Sequence, residues 1–250
     1  MEAFETLIER IAPNLYAYRD RFFTSFAATF EMFGKAGLIA FVVGLFFGVL
    51  LVVTRKGGVR ENLLVYQVVN IVINVFRSIP FIILLIFLIP LTRAVVGSAI
   101  GVKGAILPLV FGTVPFFTRQ VESALAELDG GLIEAALSMG STPLEIIFRV
   151  YLKESVAAIA RGTTITAISL LNLTAMAGVV GAGGLGDFAV RYGHDRNMTD
   201  VTNVQNAYQM VIRICVRAPL NLIFAILACF MINPEMAMIF VYVTIFLAAV

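Results

Sequence analysis

Few residues in this chain are of types that do chemistry, and each can be held against the set that its chemistry requires. Gly181, Gly183 and Gly186 stand at the spacing G-x-G-x-x-G, which cradles a dinucleotide pyrophosphate where a strand turns into a helix. Here the glycines follow an apolar run of membrane length and no Walker lysine comes after them. They read instead as a tight outer turn that lets a helix re-enter or a second protein sit close. His194 lies beside Asp195 without a nearby serine or cysteine; a nucleophile would be needed for covalent chemistry and further ligands for a metal, so it reads as a surface histidine. Cys215 and Cys229 both fall in an apolar C-terminal region and read as small hydrophobes rather than a disulfide or thiolate site. The expectation is therefore no catalytic residue, no metal site and no cofactor of the chain's own. What remains is Arg77 with Ser78 and Pro80, inside an otherwise apolar run. A charge at a helix centre in a bilayer costs roughly 2.5 to 3.5 kcal/mol, so Arg77 should face protein or a wet cavity. Pro80 frees a backbone carbonyl. The stretch is either a kinked helix whose arginine reaches an interface or a break that lines a pathway.

The elements that carry these residues follow from composition. Sixty per cent of the 250 residues are apolar and 14% are charged, outside the range of ordinary soluble domains. Backbone amides find no water in hydrocarbon, and strand-length alternation between turn residues is absent, so the apolar runs should be helices. The expected fold is all-α, a polytopic transmembrane helical bundle of about five spans. The net charge of +2 is small and dispersed and lacks a basic stripe with interleaved aromatics, which excludes nucleic acid as a partner. The N-terminus mixes Glu2, Glu5 and Glu9 with Arg10 and does not read as a signal peptide, so the first span should direct insertion.

Along the chain, residues 1–35 mix aromatics with charges and end in the i,i+4 pair Glu31 and Lys35, as in an amphipathic segment at the interface. Residues 36–54 are free of charge, and nineteen residues at about 1.5 Å each cross a core of about 30 Å. Arg55, Lys56 and Arg60 then mark a short cytoplasmic turn, which places the N-terminus outside. Further spans are expected over 62–92, 104–118 with Pro108 and Pro115 inside it, and 155–180, with a polar stretch over 119–154 and an external loop over 181–203. A fifth span is placed at 218–233. Pro234 and Glu235 separate it from an apolar segment, 234–250, of open topology.

The polar stretch contains a patterned elbow. Asp129 can cap a first short helix on which Leu132, Ala135, Ala136 and Met139 share a face; Gly140 supplies a left-handed stop. Thr142 caps a second helix with Pro143 at its first position and Glu145 at its third, completing a T-x-x-E box, while Ile146, Ile147 and Val150 give an apolar side. A capped elbow transmits force where a floppy loop does not, and small residues let another protein approach closely.

The run Glu134, Ala135, Ala136 and Gly140, E-A-A-x-x-x-G, resembles the cytoplasmic coupling motif of ABC importer permeases. With FRSIPFIILL, GLIEAALSMGSTP, TAMAG and GAGGLGDFAVRYG, residues 60–200 resemble the permease of methionine ABC importers. The resemblance implies a permease domain over 36–233 in a bacterial inner membrane, surrounded by lipid. It implies a second copy of the chain, two ATPase subunits that hydrolyse the ATP, and an extracytoplasmic substrate-binding lipoprotein. It also implies ATPase contact at Glu134, Ala135, Ala136, Met139 and Gly140, and a translocation pathway lined by Asn172, Thr174 and Met176 with Ser78 and Pro80. The family often has a tyrosine just before the TAMAG-like segment, where this chain has Asn172 and Leu173, and the match fades beyond Asp200. The competing reading is a self-sufficient secondary transporter or channel, which Arg77 and the proline-broken helices would suit. An intramembrane hydrolase lacks the paired acids or nucleophile sets it would need.

Overall fold

The computed structural model describes residues 18–194, and the expected span at 218–233 and the apolar segment at 234–250 lie outside them, as do residues 1–17. Every regular element among the described residues is helical. Helix α1 (Arg19–Thr54) runs for 36 residues without a break. At 1.5 Å per residue it is about 54 Å long, so it crosses the bilayer and extends well beyond it. The change of element expected between residues 35 and 36 does not occur: Lys35 donates to Glu31 at 2.5 Å on a continuing helix, and nothing there ends it.

α1 is apolar almost all round, yet one stripe is buried: Thr29, Met32, Ala36, Ala40, Gly44 and Gly48, then Leu51 and Val52. The spacing of three or four residues keeps these on one face. That face packs on α5 (Gly101–Ala126), whose Leu109, Phe117, Val121 and Leu125 are buried against it. A Cβ on Gly48 would stand 2.5 Å from Val121 Cγ1 and 3.1 Å from the carbonyl oxygen of Thr118. One on Gly44 would meet Phe117 Cδ1 at 2.8 Å. Without a hydrophobic drive between helices in lipid, such close approach is what gains dispersion energy. Pro108 and Pro115 lie inside α5 without breaking it, and α5 continues eight residues past the end expected at Thr118.

The run expected as one span over 62–92 is broken. α2 (Leu63–Ser78) starts at Asn62, whose side chain accepts from the amide of Val65. It ends before the extended residues Ile79 and Pro80, and α3 (Phe81–Phe87) leaves at 104°. Proline lacks an N–H and biases the residue before it to extended backbone. The Ser78 hydroxyl covers the carbonyls of Asn74 (2.7 Å) and Val75 (3.0 Å) at the broken end. A short α4 (Ile89–Val96) leads to α5. Beyond the elbow, α6 (Gly130–Ser138) and its second arm, α7 (Val156–Ala177) crosses back and continues through a π-helical turn, Gly178–Ala182. Among the described residues three helices are long and apolar enough to span a membrane, or four if α2 with α3 counts as one broken span.

Two cores form at opposite ends of this bundle. One joins Met32 and Ala36 of α1 to Phe81, Leu109, Leu170 and Ala177. The other joins Val52, Phe117, Val121 and Leu125 to Ala136, Ile146 and Tyr151 of the elbow, with Val59 of the basic turn packed on it. The elbow and the turn bearing Arg55, Lys56 and Arg60 therefore share an end, the cytoplasmic one by the charge of that short turn.

Gly48→Leu should cost about 1 to 3 kcal/mol through overpacking against Val121 and the α5 backbone, lowering the melting temperature in detergent. Gly34→Ala, inside the same helix where a Cβ meets nothing within 4 Å, should not lower it and should raise it slightly, because alanine is the better helix former.

Candidate functional site: the cytoplasmic elbow and the broken helix

The elbow folds as its caps dictate. The Asp129 carboxylate accepts from the amide of Gly131 at 2.9 Å and starts α6. Gly140, with φ of +79°, turns the chain through the left-handed region that a side chain disfavours. Thr142 then opens the second arm with Pro143 first. Its hydroxyl accepts from the amide of Glu145 at 3.4 Å, and the Glu145 carboxylate accepts from the amide and the hydroxyl of Thr142, each at 2.9 Å. The second arm is α-helical over Pro143–Glu145, π-helical over Ile146–Tyr151 and α-helical again over Leu152–Glu154. Hydrogen bonds from the Thr142 backbone and then its hydroxyl, helped by Arg149, hold the Glu145 carboxyl below the ordinary carboxylate range. Burial pushes the Tyr151 phenol above its ordinary value, opposed by the charge of Arg55.

The faces differ in part from those the spacing suggests. Ala136 turns inward, buried among Val52, Phe117 and Tyr151, and so anchors the elbow to the bundle rather than standing on its outer face beside Glu134, Ala135 and Gly140, which are exposed. Met139, expected on the same face as Ala136, is 78% exposed. On the second arm Ile146 is buried, while Leu144 and Phe148, one turn apart, are each 66% exposed. With Leu132 and Met139 they form an outward apolar face at the cytoplasmic end. Leu144 and Phe148 were legible only as the i,i+4 pair opposite Ile146.

In the bundle, Asn172 and Met176 lie one turn apart on an exposed face of α7, with Met176 37% exposed. Thr174 does not join them: it is buried on the opposite side, its hydroxyl donating to the carbonyl of Leu171 at 2.7 Å. Ser78 and Pro80 are exposed at the break, as is Arg77 at the C-terminal end of α2, where a cation meets the negative end of the helix dipole. The break and the α7 segment come together across Gly112 of α5, where an added Cβ would meet Phe81 Cδ2 at 3.1 Å and Leu173 Cδ1 at 3.4 Å. An apolar groove of about 500 Å³ lies between α1, α2 and α5, lined by Val43, Val72, Phe76 and Phe111 among others. A smaller one of about 180 Å³ lies between α1, α5 and α7 and includes Thr113, Thr163 and Thr166 in its wall. None of Ser78, Pro80, Asn172 or Met176 lines either.

The stretch expected as an external loop from residue 181 is largely helical, and Gly184–Gly186 and Phe188 within it are buried. Gly181, Gly183 and Gly184 have positive φ, and α8 (Gly184–Phe188) returns against α1. The Leu185 amide donates to Thr29 Oγ1 at 2.8 Å and Phe188 meets Phe22 edge-on at 5.7 Å. A Cβ on Gly186 would collide with the Ala175 carbonyl. The glycines thus make a turn at which a helix re-enters, the first of the two readings expected, and allow close approach of helix to helix. Arg119, expected in the cytoplasmic stretch, lies within α5 and bonds to Asn70, Asn74 and Glu122. The signal was present as Asn70 and Asn74 one turn apart in an apolar run.

Residues 40–236 match the family of binding-protein-dependent transport system inner membrane components. A probable D-methionine transport system permease protein, MetI, of Vibrio cholerae is 44% identical over 194 residues, which is 78% of this chain and 84% of that one. The methionine import system permease protein MetP of Bacillus subtilis is 46% identical over 163 residues, 65% of this chain and 73% of its own. Among solved structures, an inward-facing conformation of the MetNI methionine ABC transporter aligns with a TM-score of 0.80 at 40% identity, covering 84% of this chain and 97% of that one.

Replacing Thr142 with alanine removes a cap worth about 1 kcal/mol and should move the Glu145 titration, followed by carboxyl NMR, up toward the ordinary range. Because the folded carboxyl is held low, its contribution to the elbow is present at neutral pH and is lost as the pH falls through that depressed value. In the alanine variant the loss should come at higher pH.

Proposed function

Since the chain belongs to the family of binding-protein-dependent transport system inner membrane components, we propose that it is the membrane-spanning permease subunit of an ABC importer that carries methionine. The observation that carries this reading is the elbow: a rigid, doubly capped element at the cytoplasmic end that presents Leu132, Met139, Leu144 and Phe148 outward. Apolar side chains at that exposure on a fixed scaffold suit a groove on another protein. The partner is an ATPase subunit, which binds and hydrolyses ATP on its own chain. Glu134, Ala135, Met139 and Gly140 meet it, and Ala136 keeps the elbow seated on α1 and α5. The names of the relatives and of the aligned transporter support methionine as the substrate and an ATP-driven assembly.

Two copies of the chain enclose the pathway, each contributing the exposed face of α7 with Asn172 and Met176 and the break at Ser78 and Pro80. A thioether on a flexible stem adapts to an apolar substrate side chain, and an amide meets its polar end. Lipid surrounds the dimer, and a substrate-binding lipoprotein delivers methionine at the outer face. The helix break serves this purpose, because irregular backbone is tolerated at membrane depth where it lines a cavity or is buried in protein.

The tagged chain, purified in mild detergent with its ATPase, should retain that partner. Glu134→Lys and Gly140→Pro should reduce the retained ATPase at least tenfold while leaving the permease folded, and methionine uptake should fall in step. Full retention of the ATPase after deletion of residues 134–140 would overturn the assignment of the elbow.

A further inference from the structure

Among the described residues, a strongly polar cluster lies within the membrane thickness of the bundle. Arg119 of α5 donates through Nη2 to the side-chain oxygens of Asn70 and Asn74 of α2, the latter at 3.0 Å, and through Nη1 to Glu122 one turn along its own helix. Asn74 Nδ2 in turn donates to Asn70 Oδ1 at 3.3 Å. The Arg119 and Glu122 side chains are 19% and 16% exposed, and Arg119 Nε is buried without a partner. Asn70 stands seven residues past the start of α2 and Arg119 seven before the end of α5, so the cluster lies about 10 Å in from the cytoplasmic helix ends at 1.5 Å per residue.

Holding α2 on α5 does not require a charge. α1 is held on α5 by small residues and apolar contact, without desolvating an ion pair. Asn70 is half-buried and Asn74 exposed; what a polar set anchored by a largely buried ion pair adds over apolar packing is register. The register here is between two helices with different ends: α2 leads directly into the 104° break, and α5 leads within three residues to the cap of the elbow. The two asparagines are one turn apart and share one guanidinium nitrogen. A slide of α2 by four residues, about 6 Å, would carry one amide into the place of the other, and the unused Nε supplies a donor for a second arrangement.

We propose that Arg119, held by Glu122, is a positioning residue that latches α2 to α5 through Asn70 and Asn74 and conveys displacement of the elbow to the helix break. The proposal rests on the permease reading above. Its test uses the complete transporter, permease with ATPase and binding protein, reconstituted in vesicles, with methionine moved per ATP hydrolysed as the readout. Asn70→Leu combined with Asn74→Leu removes the α2 half of the latch and leaves Arg119 paired with Glu122, so no charge is stranded. The expected result is an assembled complex whose ATP hydrolysis stays within twofold of wild type while methionine moved per ATP falls at least tenfold. A ratio within twofold of wild type in that assembled complex overturns the latch. If the double variant does not assemble, Arg119→Lys decides, since it keeps the charge beside Glu122 but loses the planar fork: a fall in the ratio supports the latch and a wild-type ratio overturns it. A wild-type complex that moves no methionine on ATP would instead sink the permease reading, and the latch with it.

Discussion

The contact of α1 with α5 is the interaction on which the other elements depend. Both helices are longer than the hydrocarbon is thick, and both enter each of the two cores. Their approach at Gly44 and Gly48 leaves no room for a Cβ, so the side chains of Phe117 and Val121 fill the space where a branched residue on α1 would stand. Phe41 stacks on Phe117 at 5.4 Å beside this seam. In lipid the gain comes from packing density rather than from expelling water, and it is lost steeply with separation. With this pair fixed, α2, α7 and α8 each have a wall to pack against.

The elbow depends on that wall from below. Ala136, Ile146 and Tyr151 are buried against the ends of α1 and α5, so the first and second arms are tied to the bundle and not only to each other. The caps then fix the angle between them. Force applied to Met139 or Phe148 is carried into α5 through packed side chains, which transmit displacement better than a solvated loop. The same geometry explains why the Glu145 carboxyl is held below its ordinary range: the amide and hydroxyl of Thr142 donate more strongly to the charged form.

Much of this was legible in the residues. Local chemistry is complete within a few positions, so Asp129, Gly140, Thr142, Pro143 and Glu145 could be assigned their capping roles from spacing alone, and the structure keeps every one. The spans were legible as apolar runs, but their bounds were read from charge. Because Glu31, Lys35, Arg119 and Glu122 are paired along or between helices, α1 begins before its charges end and α5 ends after they begin. Which face of a helix turns inward is a tertiary fact. Ala136 and Thr174 were misplaced for that reason: a small or hydroxyl residue is equally at home on a pathway and in a close helix contact. The 104° turn at Pro80 was foreseeable as a break but not as an angle, which packing of Phe81 on α5 and α7 sets.

The π-helical stretch from Ile146 to Tyr151 has a consequence for how this element can change over evolution. It packs more residues into its turn than an α-helix would, and Ile146 and Tyr151 both reach the core from it while Phe148 points out. Each residue of an α-helix advances the side-chain direction by about 100°. Deleting one position here and letting the arm relax to α geometry would leave the residues beyond it facing nearly as before, because the wider turn already holds about one residue more, whereas an added residue with no wider turn to absorb it would swing them by about that angle and take Tyr151 off its seat. The length of this arm is therefore more tolerant of a loss than of a gain. A lineage can lose a residue between Glu145 and Leu152 more readily than it can gain one there.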